Sequence, residues 1–145
     1  MKLASLFPAP PSKTASVGLL LLRVVSGVAF MMHGWGKIQD PFNWMGPQAP
    51  TPGFLQALAA LSEFGGGLAW VLGALVPLAS FGIFCTMAFA TFFHAVVRGD
   101  PFVSKGAGGS YEPALLYLVV AVVMLTVGPG LYSVDAWLRK RLARS

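Results

Sequence analysis

The stretch Ser16–Gly34, SVGLLLLRVVSGVAFMMHG, decides the fold of this chain. It is almost continuously apolar and reaches the roughly 17–25 residues that a helix needs to cross a bilayer. A helix is favoured over a barrel strand because apolar and polar residues do not alternate along it. We expect a retained span and not a cleaved signal, because Arg23 interrupts the run and no small-x-small cleavage site ends it.

The rest of the chain repeats this pattern. Further apolar runs cover Phe54–Val76, Leu78–Val97 and Pro113–Val127. Only 10% of the 145 residues are charged, against roughly 25% in soluble domains, and the mean hydropathy is +0.71. The sequence therefore predicts an all-α integral membrane protein, a single four-helix antiparallel bundle formed by residues 16–145 after a cytoplasmic or interfacial tail (1–15). Its spans are expected near residues 16–36, 54–76, 78–97 and 112–130.

The C-terminal segment is predicted to form a short interfacial helix. Gly128-Pro129-Gly130 is an effective helix stop, and Ser133 then suits an N-cap for a helix that ends near Leu142. Trp137 and the basic residues around it are typical of a segment that lies on anionic lipid head groups.

The formal net charge of +5 has a topological explanation. One predicted side of the membrane carries Lys2, Lys13, Arg139, Lys140, Arg141 and Arg144, and the other carries Lys37, Arg98 and Lys105. The excess of basic residues on the first side predicts that both termini lie in the cytoplasm. The charge therefore does not indicate a nucleic-acid partner.

The cysteine content excludes one class of membrane chemistry. Cys85 is the single cysteine in the sequence, so the chain has neither an internal disulfide nor a C-x-x-C dithiol. This excludes quinone-linked disulfide formation, and Cys85 is expected to be a small packing residue.

Titratable residues in or beside the apolar runs indicate the functional end. In an antiparallel arrangement His33, Glu63, His94 and Glu112 all come to the outward-facing end. Helical spacing places Ser26, Phe30, His33 and Lys37 on one face of the first helix. Polar groups are expensive in lipid, so we expect His33, Glu63 and His94 to turn inward around a common pocket.

Several of these residues have two interpretations. The loop 37–53 contains Trp44, which is either a lid over the pocket or an interfacial anchor. Glu112 either joins the pocket or stabilises the first turn of the fourth helix through the helix dipole. Arg23 lies about 15 Å deeper than His33, and it either forms an ion pair with Asp135 or snorkels alone to the surface.

Small residues recur at regular spacing in the second apolar run. Gly65, Ala69 and Gly73 repeat at four-residue spacing, which is typical of close helix contacts in lipid. Structural packing is the first interpretation of this pattern, and extra room for a ligand beside Glu63 is the second.

The chemistry of the predicted pocket suits a quinone best. Two histidines with one or two carboxylates could bind a metal, and two histidines from different helices could hold a b-type haem. Neither signal is specific, because there is no E-x-x-H pair and two histidines are the minimum. A quinone needs an amphipathic slot, donors for its carbonyl oxygens and a group that transfers protons. We expect His33 and Glu63 to handle protons and Lys37 and His94 to polarise a carbonyl. Trp35 or Trp44 is expected to stack on the ring.

Ordered motifs along the chain resemble the DoxX family. The residues that carry the resemblance are Leu22-Arg23, Gly27, Phe30, His33-Gly34-Trp35-Gly36-Lys37, Glu63-Phe64-Gly65-Gly66, Leu72-Gly73, Tyr111-Glu112, Gly128-Pro129-Gly130, Ser133 and Asp135. The resemblance runs from about Leu20 to Leu138. It implies a four-helix bacterial inner-membrane protein, with relatives linked to membrane oxidoreductase assemblies.

Three functions are compatible with these observations. The first is a membrane subunit of an oxidoreductase system that binds quinone in the outer leaflet, with a partner subunit that supplies redox centres. The second is a non-catalytic assembly subunit that docks a partner protein or a second copy of itself through Gly65–Gly73. The third is a small-molecule transporter, against which the short chain without an inverted repeat argues.

Overall fold

The structure, a computed structural model, describes residues 11–143, and within this range the regular structure is entirely helical. This confirms the predicted all-α class. The helices are α1 (Lys13–Gln39), α2 (Gly53–Leu72), α3 (Val76–Phe92, continued by a π-helical turn at Phe93–Val97), α4 (Glu112–Val127) and α5 (Val134–Leu142).

Three of these helices are long and apolar enough to span a membrane. They are α1, α2 and α3 with its π-helical turn. The fourth apolar helix, α4, has 16 residues, and at 1.5 Å per residue it covers roughly 24 Å of a hydrocarbon core about 30 Å thick. Three helices thus have the length and composition of a membrane span, and the four-span bundle stays a prediction.

The ends of the helices follow local sequence. Ser12 caps α1 by accepting a hydrogen bond from the backbone N–H of Ala15 at 3.3 Å, so α1 begins at Lys13 and takes up the end of the predicted 1–15 tail. Residues 1–10 of that tail lie outside the described residues. The tight turn between α2 and α3 uses Gly73 at φ +69° and Leu75 at φ +52°. Gly73 ends α2 in the left-handed conformation, and Leu75 adopts the same conformation directly before α3.

Helices α1 and α2 pack antiparallel with their backbones in close approach. A Cβ atom on Gly27 would lie 2.6 Å from the Gly67 carbonyl oxygen, and one on Gly34 would lie 2.6 Å from the Phe64 amide nitrogen. The predicted stripe of Gly65, Ala69 and Gly73 does not make this contact. The face of α2 that meets α1 is that of Gly67, which lies two residues from both Gly65 and Ala69 and so points away from the stripe.

Aromatic side chains at the centre of the core connect α2 to α3 and α1 to α4. Trp70 of α2 is fully buried, and its Nε1 donates to Ser80 Oγ of α3 at 2.9 Å. Phe30 of α1 packs edge-on against the Trp70 ring, with centroids 5.5 Å apart, and against Tyr117 of α4 at 4.7 Å. Aromatic packing therefore brings α4 against α1.

Arg23 and Asp135 lie buried at the end of the molecule opposite Lys37, but they do not form the predicted direct ion pair. The Arg23 guanidinium donates to the carbonyl oxygens of Pro129 and Tyr132 at 2.7 and 2.8 Å. The Asp135 carboxylate accepts from the backbone N–H groups of Leu75 and Val76 at 2.8 and 2.9 Å. The reason is that backbone groups bind both charges. The Asp135 carboxylate satisfies the N–H groups at the start of α3, and the Arg23 guanidinium binds carbonyl oxygens of the turn between α4 and α5. The carboxylate still attracts the guanidinium electrostatically.

We expect Gly34→Ala to lower the stability of the folded protein, because its methyl group meets the backbone of Phe64 and not a flexible side chain. Overpacking of this kind costs about 1–3 kcal/mol. Thermal unfolding of the purified protein in detergent measures the effect. Gly36→Ala is the matched control, since a Cβ there has no atom within 4 Å. Equal melting temperatures for the two variants would contradict the packing described above.

Candidate functional site

A buried ion pair joins α1 to α2 at one end of the molecule. Lys37 Nζ lies 2.6 Å from Oε1 and 2.7 Å from Oε2 of Glu63, so one ammonium group binds both carboxylate oxygens. The Glu63 side chain is 4% exposed and that of Lys37 is 26% exposed. Lys37 lies one turn beyond Gly34, so the close glycine contact with Phe64 brings its side chain within reach of Glu63.

The segment between α1 and α2 covers this pair. The Lys37 ammonium lies 4.5 Å from the centroid of the Trp44 ring, a cation–π contact. Trp44 Nε1 donates to the Gln56 carbonyl oxygen at 2.9 Å. The Gln56 side chain accepts from the Met45 N–H at 3.0 Å and donates to the Thr51 carbonyl oxygen at 2.9 Å. We call Lys37, Trp44, Gln56 and Glu63 the Lys37 cluster.

A second pair lies where α3 ends. His94 Nδ1 is 2.7 Å from Asp100 Oδ2, and Arg98 Nε is 3.4 Å from the same oxygen. The π-helical turn brings the backbone of Asp100 back to His94, whose carbonyl oxygen accepts from the Asp100 N–H at 2.9 Å. Gly109 approaches so closely that a Cβ there would meet the Asp100 carboxylate at 2.7 Å. Asp100 thus orients the imidazole and leaves its Nε2 as the nitrogen that can bind another group.

The common pocket predicted for His33, Glu63 and His94 does not form in this arrangement. Glu63 is buried as expected, but His33 is exposed on α1 and His94 pairs within its own segment. The buried stripe of α1 runs through Phe30 and Gly34, because Gly34 has no side chain and lets α2 approach. The interior position predicted for His33 is therefore wrong.

Two other predicted site residues lie apart from the Lys37 cluster. Trp35 is 59% exposed, and its ring packs against Phe64 with centroids 5.7 Å apart. Glu112 occupies the first turn of α4, and its backbone N–H donates to the Phe102 carbonyl oxygen at 3.2 Å. Its position is the one favoured by the helix dipole.

Gln56 and Asp100 were not among the predicted site residues. Gln56 lies two turns before Glu63 on the same face of α2, so helical spacing alone was a signal for it. Asp100 follows the end of the helix that carries His94, and no spacing rule places it against that ring.

The described residues 11–143 contain no group of three or more His, Cys, Asp or Glu side chains able to hold a metal ion. The structure has cavities of about 210 Å³ beside α5 and about 420 Å³ between α2 and α3. Neither of these two is lined by His33, Glu63 or His94.

Comparison with known proteins gives matches in sequence. The family model described as DoxX matches residues 18–95, a range that contains Lys37, Glu63 and His94. The inner membrane protein YqjF of Escherichia coli (strain K12) is 33% identical over 137 residues, which cover 89% of this chain and 98% of that protein. No solved structure gives a significant match.

We expect Lys37→Met to destabilise the protein by about 3 kcal/mol, because it leaves an almost fully buried carboxylate without its partner. Glu63→Gln should cost less, since Lys37 is 26% exposed and can reach water. Reversible unfolding of the purified variants in detergent gives both values. The double variant should cost less than the sum of the single changes.

Lys13→Met is the control for loss of an exposed lysine from the same helix. Equal costs for Lys37→Met and Lys13→Met, or strict additivity of the Lys37 and Glu63 changes, would show that the ion pair contributes nothing.

Proposed function

This chain belongs to the DoxX family, and we propose that it is the membrane subunit of an oxidoreductase system that binds quinone at the Lys37 cluster. Its apolar helices and its Escherichia coli relative, named as an inner membrane protein, support a bacterial inner-membrane location. The quinone site, the oxidoreductase system and the orientation that follow are parts of the proposal.

We place four antiparallel spans in the bilayer, formed by α1 to α4 within one domain (16–145), with α4 as the shortest. Two contacts between α1 and the chain around α4 support this antiparallel order. Phe30 meets Tyr117 near mid-helix, and Ser16 Oγ accepts from the Leu131 N–H at 3.1 Å at the end of α1 where the chain begins. The excess of basic residues on the side of both termini supports a cytoplasmic position for them. The Lys37 cluster then lies in the outer leaflet.

The observation that carries the proposal is the Lys37–Glu63 pair under the Trp44 ring. An ion pair between apolar helices costs desolvation free energy that packing alone does not require, and charged groups inside a membrane mark functional sites. The ammonium has three N–H donors. Two hydrogen bonds go to the Glu63 oxygens, which leaves one donor of the ammonium for a ligand beside the Trp44 ring.

This arrangement matches the chemistry of a quinone head group. A quinone ring that stacks on Trp44 would bring a carbonyl oxygen to Lys37, which polarises it by hydrogen bonding. Reduction to the quinol takes two electrons from a redox partner subunit and two protons from outer water, one of which the Glu63 carboxylate would accept and pass on to the quinone. His33, exposed one turn before Lys37, and His94 with Asp100 would exchange protons with outer water.

A second candidate function is an assembly subunit without its own chemistry. The cavity of about 420 Å³ between α2 and α3 is open to the outside and lined by small residues among larger apolar ones: Leu61, Ser62, Gly65, Gly66, Ala69, Leu75, Leu78, Ala79, Phe81 and Gly82. Such a groove suits an apolar transmembrane helix of a partner. Gly73 is not part of it, because it ends α2 and packs against Arg23.

We expect the purified protein to be stabilised against heat by a short-tailed quinone, and Trp44→Ala to remove this stabilisation. Lys37→Gln should weaken it on the order of tenfold, the size of one hydrogen bond to a charged group. Thermal unfolding at increasing quinone concentration measures the affinity, and analysis of the extracted lipid measures quinone retained from the cell.

Trp35→Ala is the matched control, since Trp35 lies near the same end of α1 but packs on Phe64. No retained quinone and no stabilisation would refute the site. Stable co-purification of a partner that Gly65→Leu abolishes, with no response to quinone, would favour the assembly subunit.

A further inference from the structure

One buried hydroxyl group in α3 has no hydrogen-bond partner within residues 11–143. It is Oγ1 of Thr91, two residues before the π-helical turn that begins at Phe93. Thr86 and Thr126 show the usual arrangement, in which the hydroxyl donates to the carbonyl oxygen four residues earlier, at 3.0 and 2.8 Å. Buried polar atoms are almost always hydrogen-bonded, so the unused hydroxyl of Thr91 calls for an explanation.

Thr91 lies on the side of α3 that faces α2. Ser80 and Ile83 are fully buried on this side, where they contact α2. Met87 continues the buried stripe four residues after Ile83, and Thr91 follows four residues after Met87. Residues at this spacing share one face of a helix, so the Thr91 side chain lies toward the interior of the molecule.

The height of Thr91 along the helix axes follows from the contacts between α2 and α3. A Cβ atom on Gly66 would lie 3.1 Å from the Ile83 side chain, so these two residues are opposite each other. The helices are antiparallel, and Thr91 is eight residues after Ile83. It therefore comes opposite residue 58, eight residues before Gly66.

Lys37 lies at nearly the same height on the other side of α2. Gly34 of α1 is opposite Phe64 of α2, and Lys37 follows Gly34 by three residues. It therefore comes opposite residue 61, three positions from the level of Thr91. Three residues of helix rise roughly 4.5 Å.

A ligand in the membrane reaches this level between α1 and α4. Consecutive helices pack along one another, whereas α1 and α4 have few backbone contacts and touch where Phe30 meets Tyr117. Lys37 lies two turns beyond Phe30 on the same face of α1, and its side chain is 26% exposed. The ammonium is thus accessible on this side.

We infer that Thr91 is a further ligand-binding residue of the site at the Lys37 cluster, and that its hydroxyl donates to the second carbonyl oxygen of the quinone ring. The inference rests on the proposed function. The two oxygens of a 1,4-quinone lie at opposite ends of the ring, so one ligand satisfies both the remaining donor of Lys37 and the unused hydroxyl of Thr91. The site is therefore specific for a ring with two opposed carbonyl groups.

The test compares a short-tailed 1,4-quinone with the same ring carrying a single carbonyl group. Thermal unfolding of the full-length protein in detergent, at increasing ligand concentration, measures both affinities. Thr91→Val removes the hydroxyl and keeps the shape of the side chain. It should weaken quinone binding about two- to tenfold, the range of one neutral hydrogen bond, and leave binding of the one-carbonyl ring unchanged.

The ligand-free protein provides a second measurement. Thr91→Val should not lower its melting temperature, because the change removes a buried hydroxyl that has no partner. Thr91→Ser keeps the hydroxyl and should bind the quinone like the unaltered protein. Thr86→Val is the matched control, since it removes a hydroxyl bound within the same helix, and it should leave quinone binding unchanged.

The possible failures are distinguishable. Unchanged quinone binding in Thr91→Val, or an equal loss for the two rings, would overturn the role of Thr91 and leave the proposed function standing. A lower melting temperature of ligand-free Thr91→Val would show that the hydroxyl has a partner within the protein, and would also overturn it. No response of the unaltered protein to the quinone would refute the proposed function itself.

Discussion

The close approach of α1 and α2 determines the geometry of the candidate site. At Gly27, Gly34 and Gly67 the two backbones are so near that no side chain fits between them. This separation is what lets Lys37 bind both oxygens of Glu63. In a membrane, where apolar burial does not favour one helix contact over another, close packing and polar contacts must hold the helices together. The glycines and the ion pair act at successive turns of the same interface.

Buried charges are compensated in different ways at the two ends of the molecule. At the end with Lys37, opposite charges neutralise each other and a tryptophan covers them. At the other end, Asp135 is bound by N–H groups at the start of α3, and Arg23 is bound by carbonyl oxygens of the turn between α4 and α5. The connection between α2 and α3 and the turn after α4 are thereby fixed to the helices by buried charges. Asp135 thus acts as a cap for the start of α3, and Arg23 as a ligand of the turn after α4.

The sequence predicted the helices well, because long apolar runs and their stops are strong local signals. It also identified Glu63 as buried, since a carboxylate two turns inside an apolar run has to find a partner in the protein. It placed His33 in the interior wrongly. Spacing allowed either His33 or Gly34 to continue the buried stripe, and only the contact with Phe64 decides between them. The partners of Arg23 and Asp135 lie far away along the chain, and that of His94 lies in the irregular segment after α3. Local sequence patterns do not predict where such segments lie.

Gln56 connects the segment that covers the ion pair to α2. Its side chain holds Met45 and Thr51, and its carbonyl oxygen holds Trp44. Because Gln56 and Glu63 lie two turns apart on the same face of α2, any rotation of this helix about its axis moves both together. The segment that covers the ion pair and the Glu63 carboxylate are therefore displaced together. A contact on the outer surface of α2 that rotates the helix would therefore move both Trp44 and Glu63 relative to the Lys37 ammonium.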